Sequence, residues 1–110
     1  KVSRYLKLNT AFEYSSEKYG DTRIFKKENR LIQICKKNNA STYINSYSGK
    51  NLYSKKEFKT NNIQLFFLKS QSSSYKQFNN LFVSNLSIID VLMFNSIPDI
   101  KKMILQYDLD

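Results

Sequence analysis

The amino-acid sequence predicts a small α/β (or α+β) domain, a small sheet whose strands alternate with helices and that ends in two C-terminal helices. Three observations point there. Short runs rich in β-branched and aromatic residues, Thr42-Tyr43-Ile44 and Ile63 to Leu68, alternate with stretches of helical apolar spacing. The run Ile63-Gln64-Leu65-Phe66-Phe67-Leu68 is largely apolar on both faces, as in a central strand of a covered, often parallel sheet. Two serines, Ser54 and Ser96, begin segments with helix-capping signatures.

Taken in order, Tyr5 to Tyr14 mixes apolar and polar types and reads as a strand. Gly20-Asp21-Thr22 is a turn and helix-start signal, and Ile24, Leu31, Ile34 and Cys35 then recur at helical spacing. That helix is expected from about Arg23 to Asn38. A strand over Ala40 to Ser46 ends at the turn Tyr47-Ser48-Gly49. Ser54-Lys55-Lys56-Glu57 fits a capping box, with Tyr53 and Phe58 as its hydrophobic staple, and starts a helix from Lys55 to about Asn61. Asn61-Asn62 breaks it before the Ile63–Leu68 strand. The polar loop Ser70 to Ser74 follows, and Leu81-Phe82-Val83 is a further short apolar element. Leu86 to Asn95, apolar almost all round, reads as a buried helix. Ser96 caps the last helix, with Pro98 in its first turn, Asp99 at N3, and Ile100, Met103, Ile104 and Tyr107 as its apolar stripe.

A chain of 110 residues makes one domain (1–110), or part of one. It buries roughly 65% of its unfolded surface, enough for a modest core. It begins with Lys1 rather than Met, as a piece of a longer protein does. The balance of 18 basic against 9 acidic residues gives a net charge of +9. Such a balance suits nucleic acid, anionic lipid or phosphorylated substrates. The lysines, however, fall in scattered pairs, and a solvated surface is the favoured reading. The sole cysteine, Cys35, excludes an internal disulfide and a cysteine-rich zinc site. On a helical stripe it reads as a small core residue. The absence of histidine removes Ser-His-Asp and Cys-His catalysis from this segment. No apolar run approaches the ~20 residues of a membrane span, and no signal peptide is visible, so cytoplasmic residence is expected.

Without a glycine-rich phosphate loop or paired carboxylates, the candidate chemistry lies in polar and aromatic residues at element ends. Tyr43 through Tyr53, with Gly49 and Lys50, leaves the end of one expected strand, and Tyr75 and Gln77 follow another, where open sheets place ligands. Ser87 and Asp90 share one strip of the Leu86–Asn95 helix. Two readings of that pair stay open. In one, Ser87 and Asp90 form a carboxylate variant of the capping box and are structural. In the other, Asn85 is the N-cap, and Asp90 sits one turn in and wants a basic or hydroxyl partner. Arg30 is the candidate fork for it. Tyr43 and Tyr53 equally suit core positions, and Gly49 a turn.

At these residues the chain resembles the WbqC-like protein family. The pattern runs through Arg30-Leu31-Ile32-x-Ile34-Cys35, Thr42-Tyr43-Ile44-Asn45, Gly49-Lys50-x-Leu52-Tyr53 with Phe58, Ile63-x-Leu65-x-Phe67, Tyr75-x-Gln77-Phe78 and Leu86 through Asn95. Ser15-Ser16-Glu17 adds a serine-acidic element. The resemblance spans about Ser15 to Leu109. It implies that the chain is the C-terminal part of a longer protein. It also implies a role in bacterial O-antigen or other surface-polysaccharide synthesis, as an acyl or aminoacyl (glycine) transferase acting on a sugar. Asp90 is then the catalytic residue. Tyr43, Gly49, Lys50, Tyr53, Tyr75, Gln77 and Ser87 are substrate contacts. The partner is a small-molecule or sugar substrate, and neither cofactor nor metal is specified. The rival readings are a non-catalytic basic module that binds nucleic acid or another anionic partner, and an inactive scaffold fragment.

Overall fold

The structure, a computed structural model, describes residues 1–79 and 81–110. Along the chain come α1 (Val2–Tyr5), α2 (Ser15–Lys18), a 3-10 turn (Gly20–Ile24), α3 (Lys27–Lys37), β1 (Thr42–Ser46) and a second 3-10 turn (Tyr47–Gly49). These are followed by α4 (Lys55–Thr60), β2 (Gln64–Ser70), α5 (Ile88–Phe94), α6 (Ile97–Ile104) and β3 (Tyr107–Leu109). The strands form one sheet in the order β1-β2-β3. β1 and β2 are parallel, in register from Thr42 against Gln64 to Ser46 against Leu68. Phe67 and Asp110 exchange both backbone hydrogen bonds, at 2.9 and 3.1 Å, the reciprocal pattern of antiparallel pairing. The sheet is therefore mixed, and with its flanking helices, two of them C-terminal, the fold is α+β. The run expected to be central is central, and its parallel neighbour is reached through a helix, as parallel strands require.

The chain divides into two compact units. One comprises Ala11–Lys69 and Leu109–Asp110, the other Lys1–Thr10 and Ser70–Asp108. The first unit holds a continuous core of Ile32, Cys35, Phe58, Ile63, Leu65 and Phe67, with Leu31, Ala40, Tyr43 and Tyr53 packed against it. Phe58 is fully enclosed and stacks on Tyr43, ring centroids 5.5 Å apart and planes within 6°. Cys35 is a core residue, and burial pushes its thiol above the ordinary cysteine range.

Several expectations fail, each for a local reason. The helix expected from Arg23 starts at Lys27 because Phe25 and Lys26 are extended, with ψ of 146° and 154°. Ile24 is left in a 3-10 turn, 80% exposed. Tyr5 to Tyr14 is no strand. α1 ends at Tyr5, the chain is irregular to Tyr14, and Tyr5, Phe12 and Tyr14 are exposed, with no sheet face to cover. At α4, Ser54 is the N-cap residue but its side chain accepts no capping bond. Its backbone N–H donates to Glu28 of α3 at 3.3 Å, so the reciprocal arm expected from Glu57 comes from another helix.

In the second unit α5 and α6 pack together, and Leu6 and Ile100 are its fully buried apolar residues. Ser96 caps α6 as expected, accepting from the Asp99 N–H at 3.3 Å and donating to the Asp99 carboxylate at 2.5 Å. The helix stops at Ile104, so Tyr107 is a residue of β3 and not of the helical stripe. Leu81-Phe82-Val83 has no regular structure and is exposed. The largest departure is α5. Expected buried, it contains no buried residue, and Ile89 and Met93 are 63% and 75% exposed. With α6 packed against it, and the four-residue α1 as the one other helix among the described residues of its unit, a helix apolar on all sides has more apolar surface than there is core to receive it.

Candidate functional site

The N-terminus of α5 is built by Ser87, whose Oγ accepts from the Ile89 N–H at 3.2 Å. Asn85 takes φ of 59° just before it and is not the N-cap. Asp90 is then the N3 residue, where the helix dipole favours a carboxylate. Its side chain closes no capping box. Instead Oδ2 accepts two side-chain hydrogen bonds, from the Tyr75 hydroxyl at 2.5 Å and from Gln77 Nε2 at 2.8 Å. The hydroxyl partner expected for Asp90 is therefore Tyr75, and the hydrogen bonds of Arg30 go to Thr22 Oγ1 and the Ser15 carbonyl.

Gln77 is the anchor of this cluster. It is 7% exposed. Its Oε1 accepts from the Val83 N–H at 2.8 Å, and its Nε2 donates to the Val83 carbonyl at 3.2 Å as well as to Asp90. One amide thus fastens an irregular apolar segment and orients a carboxylate. Tyr75 packs edge-on against Phe82, centroids 5.1 Å apart. The hydrogen bond to Asp90 raises the Tyr75 hydroxyl above the ordinary tyrosine value, because ionising it would break that bond and set two anions side by side.

Asp90 is half-buried, and its Oδ1 accepts no hydrogen bond from the described residues. No buried side-chain oxygen or nitrogen lacks a partner among those residues, so Oδ1 meets solvent. The carboxylate is held by one oxygen and open at the other, a suitable arrangement for accepting a proton or orienting a hydroxyl or amine. Tyr75, the donor to this carboxylate, and Val91, next to Asp90 in the chain, line a cleft of about 360 Å³ in the same unit.

Tyr43, Gly49, Lys50 and Tyr53 belong to the other compact unit. Burial raises the Tyr43 hydroxyl, and the nearby Tyr53 and Cys35 add to the effect. Gly49 is buried, and a Cβ there would lie 2.8 Å from Asn45 Nδ2 and 3.4 Å from the Tyr53 ring, so close approach rather than backbone conformation calls for glycine. Lys50 pairs with the Asp110 carboxylate and lies 5.3 Å from the Tyr47 ring centre. Asp110 raises the Lys50 ammonium, and Lys50 with Lys55, 3.4 Å away, holds the Asp110 carboxyl below its usual range.

Of the eight site residues expected from sequence, Tyr75, Gln77 and Asp90 thus form one hydrogen-bonded cluster, and Ser87 builds the helix end that carries it. Sequence reasoning missed Val83 and Phe82, which complete the cluster, and the α6 residues of the cleft. The signal of Phe82 and Val83 was apolar character outside any helical or strand period, and the α6 residues showed a helical stripe that reads as core. Among the described residues no group of His, Cys, Asp or Glu can hold a metal ion, and no helix is long and apolar enough to cross a membrane.

Compared with protein-family models, residues 1–102 match the WbqC-like protein family, and the chain belongs to that family. The match begins upstream of the Ser15 boundary that the sequence motifs suggest. The family is associated with polysaccharide biosynthesis. No curated protein and no solved structure gave a match.

Proposed function

We propose that the protein serves bacterial surface-polysaccharide synthesis as a transferase that moves an acyl or aminoacyl group onto an amine or hydroxyl of a nucleotide-linked or lipid-linked sugar. The observation that carries this reading is the Asp90 carboxylate. Oδ2 is fixed by Tyr75 and Gln77, while Oδ1 is open to solvent. A general base needs that combination of fixed geometry and a reachable lone pair.

In the reaction the sugar's nitrogen or oxygen attacks the carbonyl carbon of an activated acyl donor such as a thioester. The new C–N or C–O bond forms as the bond from carbonyl carbon to leaving group breaks. The proton lost by the nucleophile goes to Asp90 Oδ1 and is passed to the leaving group, which restores the carboxylate. Tyr75 and Gln77 are positioning residues that keep the carboxylate aimed, and Ser87 keeps the helix end in place. Membership of the WbqC-like family and its association with polysaccharide biosynthesis support the substrate class. A reaction on nucleotide-linked sugars sets the work in the cytoplasm.

The test is acyl transfer from a small acyl thioester to a UDP-linked amino sugar. Asp90→Asn keeps the shape and is expected to lower the rate by about 10²–10⁴-fold, the usual range for general acid–base catalysis, with thermal stability close to the parent. Full activity in a normally folded Asp90→Asn protein overturns the role.

A further inference from the structure

We infer that the cleft beside Asp90 is a binding site for an uncharged hydrocarbon chain of several carbons, which in the proposed reaction is the acyl group of the donor. α5 contributes Ile88 and Val91, and α6 contributes Ile100, Met103 and Ile104. Ile100 is 1% exposed and lies deepest of these. Tyr75 and Phe82 add aromatic surface, and Ser70 to Ser73 with Asn85 supply the polar part of the lining.

The chemistry of the occupant follows from what the lining lacks. Not one lining residue is charged, although the chain carries a net charge of +9 and a quarter of its residues are charged. Phosphate, nucleotide or nucleic acid finds no counter-charge there. An aminoacyl group with a free ammonium finds no carboxylate in the lining. An apolar chain finds aliphatic side chains from two helices, while the serines and Asn85 offer hydrogen bonds to the oxygen of an ester, thioester or amide. The volume, about 360 Å³, lies at the lower end of the ~300–1,000 Å³ range of small-molecule sites, which suits a chain and not a whole nucleotide sugar. Ile88 and Ile104 remain substantially exposed, and a bound chain would cover them.

The inference rests on the transferase reading for the word acyl, but not for the binding of the chain, and the two can fail separately. The probe is a series of neutral N-acetylcysteamine thioesters with acetyl, butanoyl, hexanoyl and octanoyl groups. Binding to the full chain is followed by methyl resonances of labelled isoleucine, valine and methionine. Each added methylene buried is worth about 0.8 kcal/mol, or roughly fourfold in affinity. Affinity is therefore expected to climb about fourfold per methylene until the cleft is full, with the shifts centred on Val91, Ile100 and Met103. Ile88→Asp places a charge in the lining at the first position of α5, where a helix tolerates an acid, and is expected to weaken octanoyl binding at least tenfold while the fold is kept.

Equal affinity for acetyl and octanoyl groups overturns the inference. So do undiminished binding by a folded Ile88→Asp protein, or shifts confined to the exposed Ile89 and Met93, which report surface adhesion. Chain-length-dependent binding in a protein whose Asp90→Asn variant stays fully active would instead retain the site and remove the catalytic role.

Discussion

Replacing Gln77 by glutamate tests whether one amide sets the geometry of the Asp90 carboxylate. Gln77 Nε2 lies 2.8 Å from Asp90 Oδ2, and the residue is 7% exposed. In Gln77→Glu, the introduced carboxylate would face Asp90 across that distance. At an effective dielectric of ~20, two unit charges so placed repel by about 6 kcal/mol. Asp90 is only partly buried, and solvent screening reduces the figure to about 2–3 kcal/mol, or roughly two pKa units. The protonated form of the new side chain, in contrast, restores a donor to Oδ2 and still accepts from the Val83 N–H. The folded-state pKa of the introduced glutamate is thus raised above its unfolded value of about 4.3. A group so shifted contributes fully below the unfolded value and loses its contribution as pH rises through the folded one. The variant is expected to approach the parent near pH 4.5 and to fall about 2–3 kcal/mol behind it by pH 7.5. Urea midpoints followed by circular dichroism read this directly. Gln77→Met is the control. It strands the Val83 N–H and is expected to cost about 1–3 kcal/mol at every pH. A gap between Gln77→Glu and the parent that is the same at both pH values refutes the reasoning.

Two further outcomes concern the other unit. Phe58→Ala empties a fully enclosed site and removes the stack on Tyr43, and is expected to cost about 3–5 kcal/mol by urea denaturation, a large share of a domain's ~5–15 kcal/mol. Burial raises the Tyr43 hydroxyl, so the parent is expected to lose stability as pH climbs past the ordinary tyrosine value of about 10, and Tyr43→Phe to show a shallower decline between pH 9 and 11.

How much of this was legible in the sequence depended on whether local chemistry or packing decided the outcome. β1, β2 and their parallel relation were legible because a two-faced apolar run has few other uses. The cap at Ser96 was legible because a cap is set by residues within one turn, and the same local chemistry narrowed the start of α5 to Ser87 or Asn85. The start of α3 was not, since Ile24 keeps the helical period and only the extended backbone at Phe25 and Lys26 breaks it. Nor was the missing side-chain cap at Ser54, because the group that takes its N–H, Glu28, is 26 residues away in sequence. Tyr75 and Gln77 were singled out for their place after a strand, a fold-level argument. What the sequence did not carry is that both converge on the same oxygen of Asp90. That convergence depends on Val83, which fixes the Gln77 amide from an irregular segment with no period to read.

The two sequence readings of Ser87 and Asp90, helix cap or site, were posed as exclusive because a capping box uses both residues. The structure divides the labour. Ser87 alone satisfies the helix end, through the Ile89 N–H, and this leaves Asp90 without a local backbone donor. A carboxylate at N3 is already favoured by the helix, so a structural role would need no further partners. Two side-chain donors nonetheless converge on Oδ2, one of them from a buried amide that is also committed to Val83. A capping role does not explain fixing a carboxylate by one oxygen while the other faces solvent. The proposed role of proton acceptor would. The same logic applies to α5 as a whole. Packing alone would bury a segment so apolar, yet part of its aliphatic surface lines an uncharged cleft, where a ligand's hydrocarbon can cover it.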